Sequence, residues 1–218
     1  QKHAQKLLRM CFQWTVMDQS KLNKVFQECL TDKYGHGYAS MYSKVFSSTP
    51  NSIFEIGIKQ SSSHKAWYTL FPEATIYGMD VEVDKHVGTW WHYNPRVIFT
   101  FDYSSHDSSH YRDTIKALTK TVPHSQAAKD FMWDVIIDDG DHNIGAQVGT
   151  FMVWKDKFRD VYVIEDILSA EYLHVLKTIV DTLGYVCVSE QSTKTPDEQQ
   201  YILAIARRDS IFGDTHCN

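Results

Sequence analysis

Residues 133–166 read "WDVIIDDGDHNIGAQVGTFMVWKDKFRDVYVIED". The apolar run 133–139 has the length of a buried strand, 144–158 carries a helical pattern, and 160–166 is a second apolar run. A strand, one helix and a strand in that order is the unit that sets two parallel strands side by side. Both strands end in acids: Asp138 and Asp139 on the first, Glu165 and Asp166 on the second. Asp141 and His142 follow the first pair. Like charges gathered where buried strands surface raise one another's pKa and cost stability unless something offsets them.

The same rhythm extends to both sides. Strands are expected over 52–57, 75–80 and 97–102, with helices over 61–71, 108–122 and 169–184. Two last strands, 185–190 and 199–207, are divided by a short polar loop and should pair as an antiparallel hairpin. Upstream, 20–30 reads as a helix capped by Ser20 and 39–48 as a second, with a polar, glycine-bearing loop at 31–38. The expected fold is α/β: a doubly wound, mostly parallel seven-stranded sheet with a C-terminal antiparallel hairpin and N-terminal helices. The expected organisation is an N-terminal helical arm and covering loop over 1–49 and the sheet domain over 50–218.

Composition narrows the class. The chain has 218 residues, 43% hydrophobic and 22% charged, enough for one domain with a full core. A net charge of −5 with no dense basic run argues against nucleic acid as a partner. No apolar stretch approaches the roughly 20 residues of a membrane span. The start, "QKHAQKLLRM", shows neither a signal-peptide apolar region nor an initiating Met, so a domain cut from a longer chain is expected, with other domains of that polypeptide as partners. Cys11, Cys29, Cys187 and Cys217 lack metal-like spacing, which suits a reduced, cytoplasmic protein with cysteine as small buried filler.

In open α/β sheets ligands bind beyond the carboxyl ends of the strands. Gly57, after the first strand, permits a tight turn and close backbone approach to a ligand. Lys59 and Ser61 stand where a dinucleotide fingerprint would place further glycines. Asp80, about 25 residues on, is placed to accept hydrogen bonds from ribose hydroxyls. Asp102 is a candidate acceptor for an adenine amino group, or a helix cap. Asp139, Glu165 and Asp166, on strands about 4.8 Å apart, are expected to converge on a hard divalent cation, Mg²⁺ or Mn²⁺. Asp139 is thereby also a catalytic candidate. His142 is a candidate general base, a metal ligand or a helix-start residue.

Together, "LTDKYGHGY" (30–38), "IFEIGIKQSSSHKAWYTLFPEATIYGMD" (53–80), "DVIIDDGDHN" (134–143) and "VYVIED" (161–166) resemble the metal-dependent sugar O-methyltransferases of macrolide and aminocoumarin biosynthesis, class I methyltransferases in fold. The resemblance spans about Leu30 to Ile167; its strongest element is "DDGDH" with "IED". With the missing Met, it suggests as a relative the methyltransferase domain of a larger glycan-building protein such as chloroviruses encode, which would work in the host cytoplasm. It implies that Asp139, Glu165 and Asp166 hold the ion and that His142 is the base. It implies that Glu55, Gly57, Asp80 and Asp102 bind S-adenosyl-L-methionine and that Tyr34 and its neighbours close over it. Ser61 and Asp138 are counted with these cofactor-binding residues, Ser61 through an inward N–H where relatives carry glycine. The resemblance also suggests a homo-oligomer.

The acceptor expected is a carbohydrate with a vicinal diol, such as the 2-hydroxyl of a 6-deoxyhexose like rhamnose, free, nucleotide-linked or in a glycan. Trp90, Trp91 and Tyr93 offer rings to stack on a sugar, or to cover the core or the adenine. His106 and His110 read as exposed surface. The alternatives are a catechol-like diol as acceptor, a nicotinamide-dependent oxidoreductase, which would want the missing glycines, or a non-catalytic nucleotide-binding module.

Overall fold

The computed structural model describes residues 17–46, 48–119, 131–192 and 200–207. Cys11 and Cys217, the chain start, the 120–122 end of an expected helix and most of the loop before the last strand lie outside the described residues.

Among the described residues three short helices come first: α1 (Gln19–Glu28), α2 (Lys33–His36) and α3 (Ala39–Val45). Asp18, not Ser20, caps α1; its carboxylate accepts the Ser20 N–H at 2.9 Å. The 31–38 stretch is therefore partly helical rather than a plain loop. Gly37, at φ 74°, ends α2 in the left-handed conformation that glycine adopts without steric cost.

The rest alternates: β1 (Ser52–Ile56), α4 (Ser62–Leu70), β2 (Thr75–Met79), β3 (Val97–Thr100), α5 (Tyr111–Leu118), β4 (Trp133–Asp138), α6 (Ile144–Trp154), β5 (Phe158–Ile167), α7 (Ala170–Thr182), β6 (Val186–Gln191) and β7 (Tyr201–Ala206). They form one seven-stranded sheet in the order β3-β2-β1-β4-β5-β7-β6. Pairs among β1 to β5 are parallel; β7 runs antiparallel to both β5 and β6, as the hairpin reading requires. Strand order reverses between β1 and β4, the place where such sheets open a crevice.

Each sheet face has its own core. Ile53, Val135, Ile137 and Val163 face α1, α3 and α4, where Phe26, Tyr42 and Trp67 meet edge to face. Phe54, Ile136, Tyr162 and Ile164 face the opposite way, against α5, α6 and α7. Residues 17–46 thus bury an apolar face on the sheet itself. Alternation along the strands puts consecutive residues on opposite faces, and this decides which strand-end acids can meet. Cys29 and Cys187 are free and partly buried, and burial pushes both thiols up.

Candidate active site

A cleft of ≈ 630 Å³ opens at the carboxyl ends of β1, β2, β4 and β5. Its floor is the turn after β1. The Gly57 N–H donates to Met79 O, and the Asp139 N–H donates to Ile56 O. Gly57 has φ 94°, and a Cβ there would stand 2.1 Å from Asp139 O, so only glycine fits. Lys59 and Ser61 are also left-handed, at φ 46° and 61°. The backbone shape is thus built with one glycine, each strained side chain costing roughly 1–2 kcal/mol.

Asp80 braces this turn. Its Oδ2 accepts the N–H groups of Ile58 and Lys59 at 2.8 and 3.1 Å, and its Oδ1 accepts the Val81 N–H. It lines the cleft as expected, with Tyr103 and Ser104 nearby. Several expectations are corrected here. The Ser61 N–H donates to Ile58 O, and its hydroxyl accepts from Trp90 Nε1, so Ser62 and Ser63 face the cleft instead. Asp102 is exposed at φ 70° and lies off the cleft wall. Tyr34 is 46% exposed and does not line the cleft, whereas its neighbours Leu30, Thr31 and Asp32 do. Glu55 is fully buried beneath the site, where its Oε2 accepts Trp67 Nε1 at 2.8 Å. Asp138 points to the opposite sheet face, beside Tyr162, and burial pushes its carboxyl up to about 8.

Asp139, His142 and Asp166 do come together; one ligand atom from each lies within 4.8 Å of the others. His142 Nε2 is 3.5 Å from Asp139 Oδ1, and His142 Nδ1 is 3.8 Å from Asp166 Oδ2. Asn143 caps α6 by accepting the Gly145 N–H, which fixes the loop bearing His142. The nearby Asp139 carboxylate, against burial and with help from Asp166, raises the His142 pKa.

Glu165 does not join them. Alternation turns it to the α1–α3 face, while Asp166 adopts φ 50° and swings toward the cleft. Glu165 meets Lys33, which the sequence reading passed over. The Lys33 ammonium is fully buried, donating to Glu165 Oε2 at 2.5 Å and Asp139 Oδ2 at 2.9 Å, and lies 3.0 Å from Glu55 Oε1. Burial disfavours its charge, but Asp139, Glu165 and Glu55 overcome this and raise its pKa. One ammonium does not neutralise three carboxylates. Burial pushes Glu165 well up against the pull of Lys33, and the Tyr42 hydroxyl donates to its Oε1. Asp139, also opposed by burial, is held well below the usual range by Lys33 and His142.

Two further residues of the 31–38 stretch reach the site. Tyr38 OH donates to Asp166 Oδ1 at 2.5 Å and accepts the Asp166 N–H at 3.2 Å; His36 Nδ1 lies 2.9 Å from the same Oδ1. The readable signal was the stretch itself: a lysine, a histidine and a tyrosine among glycines, upstream of acids in need of partners. His64 is buried 3.6 Å from Glu55, and burial lowers its pKa. His106 is exposed at the cleft wall, and His110 Nδ1 accepts the Ser104 N–H. Trp90 and Trp91 pack on the core, leaving Tyr93 exposed.

Two carboxylate oxygens aimed at one imidazole, in a cleft open to water, fit a hard divalent cation that keeps sites for water and substrate. The bare Gly57 backbone at the cleft floor fits a ligand that approaches the main chain closely.

No protein-family model matches the chain, and no curated protein matches it. Its fold is shared with solved methyltransferases. MycE methyltransferase of the mycinamycin biosynthetic pathway, in complex with Mg and SAH, matches at a TM-score of 0.61 and 18% identity, covering 85% of this chain and 54% of MycE. The chain thus spans about half the length of MycE. An O-methyltransferase from Bacillus cereus, in complex with SAH, matches at 0.54 and 13% identity, covering 88% of this chain and 93% of that one. TomG from Streptomyces achromogenes, an O-methyltransferase involved in tomaymycin synthesis, matches at 0.53 and 12% identity, covering 88% and 92%. The likeness at these identities is one of fold: an α/β Rossmann-like methyltransferase sheet. A chlorovirus origin gains no support from these structures. Among the described residues no helix is long and apolar enough to cross a membrane.

Proposed function

We propose that this protein is an S-adenosylmethionine-dependent O-methyltransferase that acts, with Mg²⁺ or Mn²⁺, on a vicinal diol of a carbohydrate. One observation carries the reading: Asp139, Asp166 and His142 converge beside the Gly57 turn at the switch point of the sheet. The solved MycE complexes, which hold Mg, SAH and, in one case, mycinamycin VI, share the fold and support the choice of donor and acceptor class.

Asp139 and Asp166 would hold the ion, which lowers the pKa of a coordinated hydroxyl and fixes its orientation. His142 is the proton acceptor. The two carboxylates beside it orient the ring and, unbalanced, hold a proton on it. With their charge balanced, that proton is held less firmly and the imidazole is free to act as a base. Gly57 lets the cofactor meet the main chain. Asp80 uses three of its roughly four acceptor positions on the turn and keeps capacity for ribose hydroxyls. Ile56, Ile58 and Met79 give the cleft apolar surface against which the reactants are oriented.

A second acceptor class, a catechol-like or other small diol, is favoured by the packing of the half-buried Trp90 and Trp91 against the core, which leaves these rings less free for sugar stacking. The test is calorimetry with S-adenosylmethionine and with NAD, followed by mass spectrometry of deoxyhexose and catechol acceptors with metal or with chelator. The expected result is binding of S-adenosylmethionine alone and methyl transfer to the deoxyhexose that stops on chelation. Binding of NAD instead, or transfer indifferent to chelator, overturns the proposal.

A further inference from the structure

The oxygens of Asp139 and Asp166 divide into two sets. Asp139 Oδ2 is held by Lys33 and Asp166 Oδ1 by Tyr38 and His36, at 2.9, 2.5 and 2.9 Å. The other oxygens, Asp139 Oδ1 and Asp166 Oδ2, are the pair that faces His142. All three holding residues lie within the short stretch 33–38, more than 100 positions from either aspartate. They are buried: Lys33 is 0%, His36 3% and Tyr38 2% exposed. Tyr38 does more than hold an oxygen. By accepting the Asp166 N–H it also supports the left-handed backbone that turns residue 166 into the cleft while Glu165 stays beneath it. The stretch is anchored in turn, since Ser192 Oγ donates to His36 O at 3.0 Å.

We propose that Lys33, His36 and Tyr38 are positioning residues of a divalent-cation site: each holds one oxygen of a ligating aspartate so that its second oxygen is presented to the ion. This deepens the metal-assisted reading above and rests on it. A carboxylate with one oxygen pinned keeps a single ligating direction, and outer partners of this kind typically govern metal affinity by about 10–100-fold. The same stretch is continuous with Leu30, Thr31 and Asp32 at the cleft wall, so the segment that shapes the ion site also borders the cofactor space.

The test is Mn²⁺ titration followed by electron paramagnetic resonance, on the full chain without cofactor or acceptor. Tyr38→Phe removes one hydroxyl and keeps the ring, and should weaken Mn²⁺ by about 10–100-fold. Tyr42→Phe removes the hydroxyl that serves Glu165 and should bind Mn²⁺ as the parent does. If the parent binds no Mn²⁺, the metal reading and this inference both fall. If the parent and Tyr38→Phe bind alike, the positioning role falls and the metal reading stands. If both Tyr variants weaken Mn²⁺ equally, the effect is one of packing and the positioning role again falls. Should Tyr38→Phe not fold, His36→Gln provides the same comparison, and unchanged affinity there overturns the inference.

Discussion

The Lys33 ammonium lies 2.5 Å from Glu165 Oε2, across 132 positions of sequence, with both side chains buried. It is the internal partner of strand-end acids that would otherwise repel one another. It holds Glu165, which strand alternation turns beneath the cleft, together with Asp139, which lines it.

Replacing that cation has a calculable consequence. Lys33→Met strands buried carboxylates without their counter-charge, and breaking a buried pair in this way costs about 3–5 kcal/mol. Adding Glu165→Gln removes one of those charges and should restore part of the loss. Urea unfolding of both variants measures this; a Lys33→Met loss below about 1 kcal/mol would contradict the assignment.

Gly57→Ala should damage the site rather than the whole fold. Its Cβ would be 2.1 Å from Asp139 O, and at φ 94° the new side chain is strained as well. Together these effects cost about 3 kcal/mol and push the turn off β4. Loss of S-adenosylmethionine binding alongside a lowered unfolding midpoint is the expected pair of results. An alanine variant that binds normally would show the turn to be less crowded than described.

Stability should carry the mark of Asp138. Its carboxyl is pushed up to about 8 when folded, against about 3.9 in an unfolded chain. Between those values the folded protein binds a proton that the unfolded chain has lost. Raising the pH therefore lowers stability, by up to about 1.4 kcal/mol per unit, until the folded group has titrated. Asp138→Asn has no such proton. Its stability should gain on the parent from pH 5 to pH 8 and the gap should then level off. Parallel stability curves for the two proteins would rule this out.

Mn²⁺ should raise the melting temperature, because a ligand that binds only the folded state adds about 2.7 kcal/mol at 100 times its Kd. Asp166→Asn should abolish that rise with little change in the metal-free melt, since asparagine tolerates the left-handed conformation at φ 50°. A full Mn²⁺ shift in Asp166→Asn would remove Asp166 from the ion site.

The strands, and the adjacency of β4 and β5, followed from apolar runs punctuated by acids and glycines, because a parallel sheet buried on both faces leaves that signature. That Gly57, Asp80, Asp139, Asp166 and His142 would lie at the cleft was legible for the same reason: position after a strand is a property of the chain. Direction was not. Asp138 and Asp139 are neighbours that face opposite sides of the sheet, and Glu165 parts from Asp166 because one residue turns left-handed. Ser61 was misread because its N–H is taken up by Ile58 O, a matter of turn geometry. Lys33, His36 and Tyr38 stood out as polar residues among glycines, but their partners lie more than 100 residues away, and no local pattern says which acids they meet.

The antiparallel strand β7 lies inside the sheet, flanked by β5 and β6, with Tyr162 opposite Ile205 and Ile164 opposite Leu203. The β5 edge that carries Glu165 and Asp166 therefore has no neighbour on that side until residues 201–206 have been synthesised. Without β7 that edge would be apolar and unpaired, of the sort that recruits other chains. The acids of β5 thus depend on a strand from far along the chain to cover the edge that carries them.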